Sequence, residues 1–175
     1  MRSRTDLTAS QLPPEFLEYL CDGHPSEGDR LPAIQDLARE LGISAGKLRE
    51  QLEIARQLGL VEVRPKTGIR KLPFSFLATL RVSLRYAMAE DASFFEQVGE
   101  VRNHLEVAYW REAIALLQPE DRQQLRAFVD RAWEKLRGRP VQIPHAEHRA
   151  LHLTMYSRLP NVFVRGILEA YWEAY

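Results

Sequence analysis

The segment DLARELGISAGKLREQL, Asp36 to Leu52, sets two apolar-periodic stretches on either side of a glycine and a serine. In the first, Ile34, Leu37, Ala38 and Leu41 recur at three and four residues, the period of a helix with one buried face, and Gly42 stands where such a helix stops. In the second, Leu48, Leu52, Ala55 and Leu58 repeat in the same way behind Ser44, a strong N-cap residue, until Gly59 ends the run. Two amphipathic helices meeting across so short a turn make a corner. The corner holds one helix against a core and leaves the next free to protrude.

The flanks fit the same plan. Phe16, Leu17 and Leu20 follow Pro13-Pro14, which predicts a short first helix ending near Asp22-Gly23. The stretch HPSEGDRLP is rich in turn residues. After the corner, Leu60, Val61 and Val63 on one side of Pro65-Lys66-Thr67-Gly68, with Ile69 and Leu72 on the other, predict a small β-hairpin. Helix, corner, helix and hairpin in that order is the plan of a winged helix-turn-helix over residues 1–72, whose second corner helix enters the major groove of DNA.

Charge supports that reading by its distribution. The chain of 175 residues has 24 Lys and Arg against 24 Asp and Glu, so it does not coat nucleic acid by bulk charge. Between positions 44 and 71, however, seven Lys and Arg face three Glu, while positions 1–43 are net acidic. The candidate DNA contacts are Ser44, Lys47 and Arg49 on the second corner helix and Arg64, Lys66, Thr67, Gly68 and Arg70 around the hairpin, with phosphates supplying affinity and base edges supplying sequence choice. The alternative for these residues is a solvated helix face and an ordinary loop.

Beyond Lys71-Leu72-Pro73 everything reads as helix, so residues 73–175 form a second, all-α domain. Leu77, Leu80, Leu84 and Met88 form one stripe. Ser93 with Glu96 predicts a capping box opening a long helix with Val98, Val101, Leu105 and Ala108 facing inward. Pro119-Glu120-Asp121 opens another, with Leu125, Val129, Ala132 and Leu136 as its stripe. Two more are expected over 146–158 and from Val162 onward. His104 and Glu106 flank Leu105 and so point apart, as surface or cavity-lining groups. Arg102 stands one turn from Glu106, placed either to grip a ligand carboxylate or to make an i, i+4 salt bridge with that glutamate.

Other function classes find no support. There is no Gly-rich phosphate loop, no serine or cysteine with an evident base, and no paired-carboxylate site, so the chain is not expected to be an enzyme. No run of eighteen apolar residues occurs and the amino end lacks a secretion signal, which points to the cytoplasm and to no membrane partner. Cys21 is the single cysteine, a buried or incidental thiol suited to a reducing compartment.

EGDRLPAIQDLARELGISAGKLREQLEIARQLGLVEVRPKTG closely resembles the DNA-binding domain of GntR-family transcriptional regulators in its GDRLP opening, LGIS corner, LREQL helix and GLVEVRPKTG wing. Ala33, Gln35 and Ala45 stand where that family usually carries serine, arginine and arginine. The second half resembles the helical FCD effector domain of the FadR-like branch through EVRNHLEVAYWREAI, which holds Arg102 and Glu106, and HRALHLTMYSRLPN, which holds His148, His152 and Asn161. The resemblance implies a homodimer on double-stranded operator DNA, controlled by a small effector, a carboxylic acid held by Arg102 and Asn161. The alternative is a degenerate or truncated relative that binds a small molecule or metal without strong DNA binding.

Spacing alone puts His148 and His152 on one helix face, able to hold one metal ion or simply to face solvent, with Glu147 or His145 as extra donors. The resemblance implies a divalent ion there, zinc or nickel. It also implies that two later helices lie past Tyr175, so the FCD-like domain is expected to be incomplete, with Phe163, Tyr171, Trp172 and Tyr175 exposed or in a subunit contact.

Overall fold

The corner forms as its sequence dictates. In a computed structural model, which describes residues 15–22, 25–26, 28–64 and 67–175, Gly42 takes φ +65°, a backbone state only glycine adopts without strain, and the chain reverses there. The Ile43 N–H donates to the Ala38 carbonyl (3.0 Å), closing the end of helix α2 (Ile34–Glu40). Two residues on, Ser44 Oγ accepts from the Lys47 N–H (3.1 Å) and starts α3 (Ala45–Gln57). The chain divides into two compact units, residues 1–74 and 75–175.

The first unit adds α1 (Glu15–Cys21) and an antiparallel hairpin of β1 (Val61–Arg64) and β2 (Gly68–Lys71), with Val63 opposite Ile69. Arg30 pairs with Arg70 in a single antiparallel bridge beside the hairpin. Phe16, Leu37, Leu48, Ala55, Val61 and Ile69 close one apolar core, each large side chain contributing about 1.5–3 kcal/mol by leaving water. One buried polar residue sits among them. Gln51 Oε1 accepts from the Phe16 N–H (2.8 Å), supplying the start of α1 with an acceptor its own backbone lacks. Cys21 is exposed.

The second unit holds α4 (Phe76–Glu90), α5 (Phe94–Leu116), α6 (Pro119–Arg137), α7 (His145–Tyr156) and α8 (Val162–Ala174). Helix α8 packs against α4, α5 and α7, and α6 packs on α7. Gly166 makes the α4 crossing: a Cβ there would lie 2.9 Å from Phe76 Cβ and 3.1 Å from the Leu77 nitrogen. At the other end of that crossing Arg81 forks onto the Glu173 carboxylate (2.6 and 2.8 Å). Helix α6 starts at Pro119 with a reciprocal cap between Gln118 and Asp121, whose carboxylate also takes the Arg158 guanidinium of the α7–α8 turn.

Three expectations need correction. Ser93 has helical φ and ψ and makes no side-chain cap; the Asp91 carboxylate accepts the Ser93 N–H instead (2.8 Å). The α5 stripe holds in part: Val98 and Leu105 are half-buried, Leu105 against the core, but Val101 (48%) and Ala108 are exposed, and the buried positions are Ala113 and Glu106, the latter ion-paired with Arg102. Tyr171 and Trp172 are buried against that pair, although Phe163 and Tyr175 are half exposed as anticipated.

Because backbone and a Cβ line the Gly166 contact, no flexible side chain can yield there. Gly166→Ala is expected to lower the unfolding free energy of the chain by about 1–3 kcal/mol in chemical denaturation. Gly46→Ala, whose Cβ would meet nothing closer than Ser44 Oγ at 3.8 Å, is expected to raise it by up to about 1 kcal/mol through helix propensity.

Candidate functional site

Helix α3 buries Leu48, Gln51, Leu52 and Ala55, so its opposite side, Gly46, Arg49, Glu50 and Glu53, faces outward. The charges on it differ in what they already hold. Lys47 Nζ is paired with the Glu15 carboxylate of α1 (2.5 Å), a bond that with Gln51 holds Glu15 down at about 2. Glu53 is forked by Arg56 (2.6 and 2.8 Å) and also accepts from Gln57, which brings it to about 2 as well. Arg49 and Glu50 are exposed, and their side chains have no partner among the described residues.

The hairpin lies in the same unit and is basic. Arg64 is exposed and paired with Glu62 (2.7 Å), Thr67 is exposed, and the Arg70 guanidinium donates to the Gly28 carbonyl (3.0 Å). Gly68 has φ +82°, and a Cβ on it would stand 3.1 Å from Arg30 Nε. Lys66 lies outside the described residues. Ser44 uses its hydroxyl to start α3. Arg30 was missed by sequence reasoning, because it lies far from the hairpin in the chain and reaches Gly68 only through the strand-like bridge to Arg70.

The second unit gathers Arg102, Glu106, Tyr156, His148, His152, Tyr171 and Trp172 from α5, α7 and α8. The Glu106 carboxylate accepts from Arg102 Nη1 (2.9 Å), lies 2.9 Å from His152 Nδ1 and accepts from Trp172 Nε1 (3.3 Å). Tyr156 donates to the Glu106 carbonyl (3.0 Å). Burial pushes the Glu106 carboxyl up, but the hydrogen bonds from His152 and Arg102 outweigh it and leave the group below its ordinary value. An ionised carboxylate only accepts, which assigns the proton to His152 Nδ1. Aromatic rings pack around the pair: the guanidinium carbon of Arg102 stands 4.7 and 4.9 Å from the Tyr171 and Trp172 centroids, and the His152 ring stacks on Trp172 at 4.3 Å.

The two candidate effector residues are thus committed within the fold. Arg102 serves Glu106 and reaches the Tyr171 hydroxyl (3.4 Å), with only its buried Nε unpartnered. Asn161 caps α8 by accepting from the Phe163 and Val164 N–H groups and donates to Tyr109 (3.3 Å). His148 meets His152 edge-on at 4.9 Å, and burial followed by the charge of His152 pushes its imidazole below its ordinary value. It lines a cavity of about 340 Å³ between α6 and α7, with Phe128, Trp133, Leu151 and Tyr175, which includes neither Arg102 nor His152.

The metal expectation does not fit this geometry. Among the described residues no three His, Cys, Asp or Glu side chains converge; the bond from His152 Nδ1 to Glu106 leaves Nε2 of that ring open, but His148 is the one neighbouring imidazole that meets it. Glu147 is turned to Lys135 (2.8 Å), tying α7 to α6. Two imidazoles fall short of the three or four protein ligands of a zinc centre.

Since folding lowers the Glu106 value, the group contributes stability above its unfolded value, about 4.3, and that contribution drains as pH falls through the lower folded value. Removing it by Glu106→Gln is expected to flatten the acid limb of a stability-versus-pH curve. Glu106→Ala, which strands the Arg102 charge, is expected to cost about 3–5 kcal/mol at neutral pH in chemical denaturation.

Comparison with known proteins agrees with the geometry. The family model for bacterial regulatory proteins, gntR family, matches residues 10–70, and that for the FCD domain matches residues 97–175. The solved Streptococcus agalactiae GntR aligns with a TM-score of 0.57 at 16% identity, over 91% of this chain and 77% of that one, a likeness of fold alone. A GntR-family transcriptional regulator from Pseudomonas syringae pv. tomato strain DC3000 aligns at 19% identity, over 91% of this chain and 59% of that one, with a TM-score of 0.37. E. coli McbR/YncC aligns at 21%, over 88% and 65%, with a TM-score of 0.38; neither of these two superpositions carries weight. Curated proteins give no match. With a winged helix-turn-helix in its first unit and an FCD-type bundle in its second, the chain belongs to the GntR family of bacterial regulatory proteins and is a ligand-responsive, DNA-binding transcriptional regulator.

Proposed function

We propose that a homodimer of this regulator grips double-stranded operator DNA with α3 in the major groove and the hairpin against the flanking backbone. The observation that carries this is the unpartnered Arg49 on the outward side of α3, in one unit with Arg30, Arg64 and Arg70 of the wing. Ser44 places the α3 N-terminus toward phosphate, and Lys47 supports α1 through Glu15 instead of contacting DNA. Two wings must meet half-sites about one helical turn apart, so a change in their spacing controls binding.

A small carboxylic acid suits the second unit, because Arg102 retains one unpartnered buried Nε and could share its fork between Glu106 and a ligand. Helix α8 carries Tyr171 and Trp172 on the Arg102 side and is clamped to α4 by Gly166 and the Arg81–Glu173 fork. Helix α4 follows the DNA-binding unit directly in the chain. A ligand that repacks α8 therefore has a mechanical route to the segment joining the two units. A chain working this way acts in the cytoplasm; no helix among the described residues is long and apolar enough to cross a membrane.

A second reading has its own support. Gln35, exposed on α2, and Ala45, half-buried at the start of α3, offer no cation, and Glu50 and Glu53 add negative charge to the outward side of α3, as expected of a small-molecule-binding relative with weak DNA affinity. Gel shift on duplexes from the upstream region, across a salt series, separates the two. The regulator reading expects binding whose affinity falls steeply with salt and drops on the order of tenfold in Arg49→Ala. Absent or salt-insensitive binding by every fragment, and no gain from Gln35→Arg with Ala45→Arg, would leave the second reading standing.

A further inference from the structure

Of the four charged side chains that project from the middle of α3, two are spent inside the protein and two are not. Lys47 is held by Glu15, and both oxygens of Glu53 are taken by Arg56, with Gln57 adding a third donor. Arg49 and Glu50 are exposed neighbours with no partner among the described residues. Glu50 also stands almost opposite the buried residues Leu48, Leu52 and Ala55, which puts it on the part of the helix most distant from the core.

A free carboxylate in that place is costly for a DNA reader. It enters a groove walled by phosphates, loses water, and finds no cation of its own helix to offset the loss. A base edge that donates a hydrogen bond removes the penalty. In the major groove the amino group of cytosine is the donor that glutamate accepts from; adenine sets its amino group beside the N7 acceptor, which repels a carboxylate, and guanine and thymine present acceptors that would leave it unsatisfied. Nothing comparable applies to Glu53, whose oxygens are already saturated.

We infer that Glu50 is a specificity residue, accepting from a cytosine amino group and rejecting half-sites that lack one. This rests on the reading of α3 as the groove-entering helix. Glu50 contributes little net affinity, because the bond to cytosine offsets its desolvation. Its effect is discrimination, by making every other base at that position worse and by weakening non-specific binding.

The test selects duplexes from a random library with the full chain, then measures competition between the selected site and its single-base variants. Wild type is expected to prefer C·G at one position of each half-site by about tenfold over T·A. Glu50→Ala is expected to lose that preference at that position alone and to bind unrelated DNA more tightly. Glu50→Gln, of the same volume, is expected to shift the position toward adenine, whose edge matches a side-chain amide. A uniform rise in affinity with every base preference intact would overturn the inference, since it would mean that Glu50 acts by charge alone. Wild type binding no duplex at any salt would instead overturn the placement of α3 itself, and the inference with it.

Discussion

The Glu106 carboxylate is where the second unit is tied together. It sits on α5, takes hydrogen bonds from Arg102 of the same helix, His152 of α7 and Trp172 of α8, and its own carbonyl accepts from Tyr156. A buried charge is tolerable only when its lone pairs are filled and a counter-charge is near, and both conditions are met here by three different helices. The positions of α7 and α8 relative to α5 are therefore fixed by polar geometry as well as by apolar area. Ala113, Tyr156, Leu159, Val164 and Leu168 then fill the space beside the network.

The same logic separates structure from recognition in the first unit. Charges that have found partners hold elements together: Glu15 joins α1 to α3 through Lys47 and Gln51, and Lys71 donates to the Leu20 and Pro25 carbonyls, closing the hairpin onto the body. Arg49 and Glu50 have no such partner among the described residues. Counting basic residues would give Lys47 and Arg49 equal weight, yet Lys47 is paired with Glu15 and Arg49 has no partner among the described residues.

Much of this was legible in order along the chain. The corner, its glycine stop and serine cap, the hairpin and the five helical runs all follow from local periodicity and backbone preference, which act over a few residues. Less of the site was legible. Arg102 and Glu106 were visible as an i, i+4 pair, but that the pair is buried depends on Trp172 and His152 arriving from helices far along the chain. The α5 stripe held at Val98 and Leu105 and failed at Val101, which is exposed while the ion-paired Glu106 is buried, because a neutralised ion pair can occupy a core position. Asn161, expected to contact a ligand, also caps α8, a role decided by the turn it occupies.

The sequence by itself determined which segments are helix and which form the wing, because capping, glycine backbone freedom and apolar period are properties of neighbours in the chain. It also determined that one stretch would be basic. Only the tertiary structure decided which charges are spent, setting Lys47 against Glu15 and burying the Arg102–Glu106 pair while leaving Arg49 and Glu50 open. The physical reason is that an ionic group's role depends on the partner and solvent around it, and both are assigned when distant segments pack.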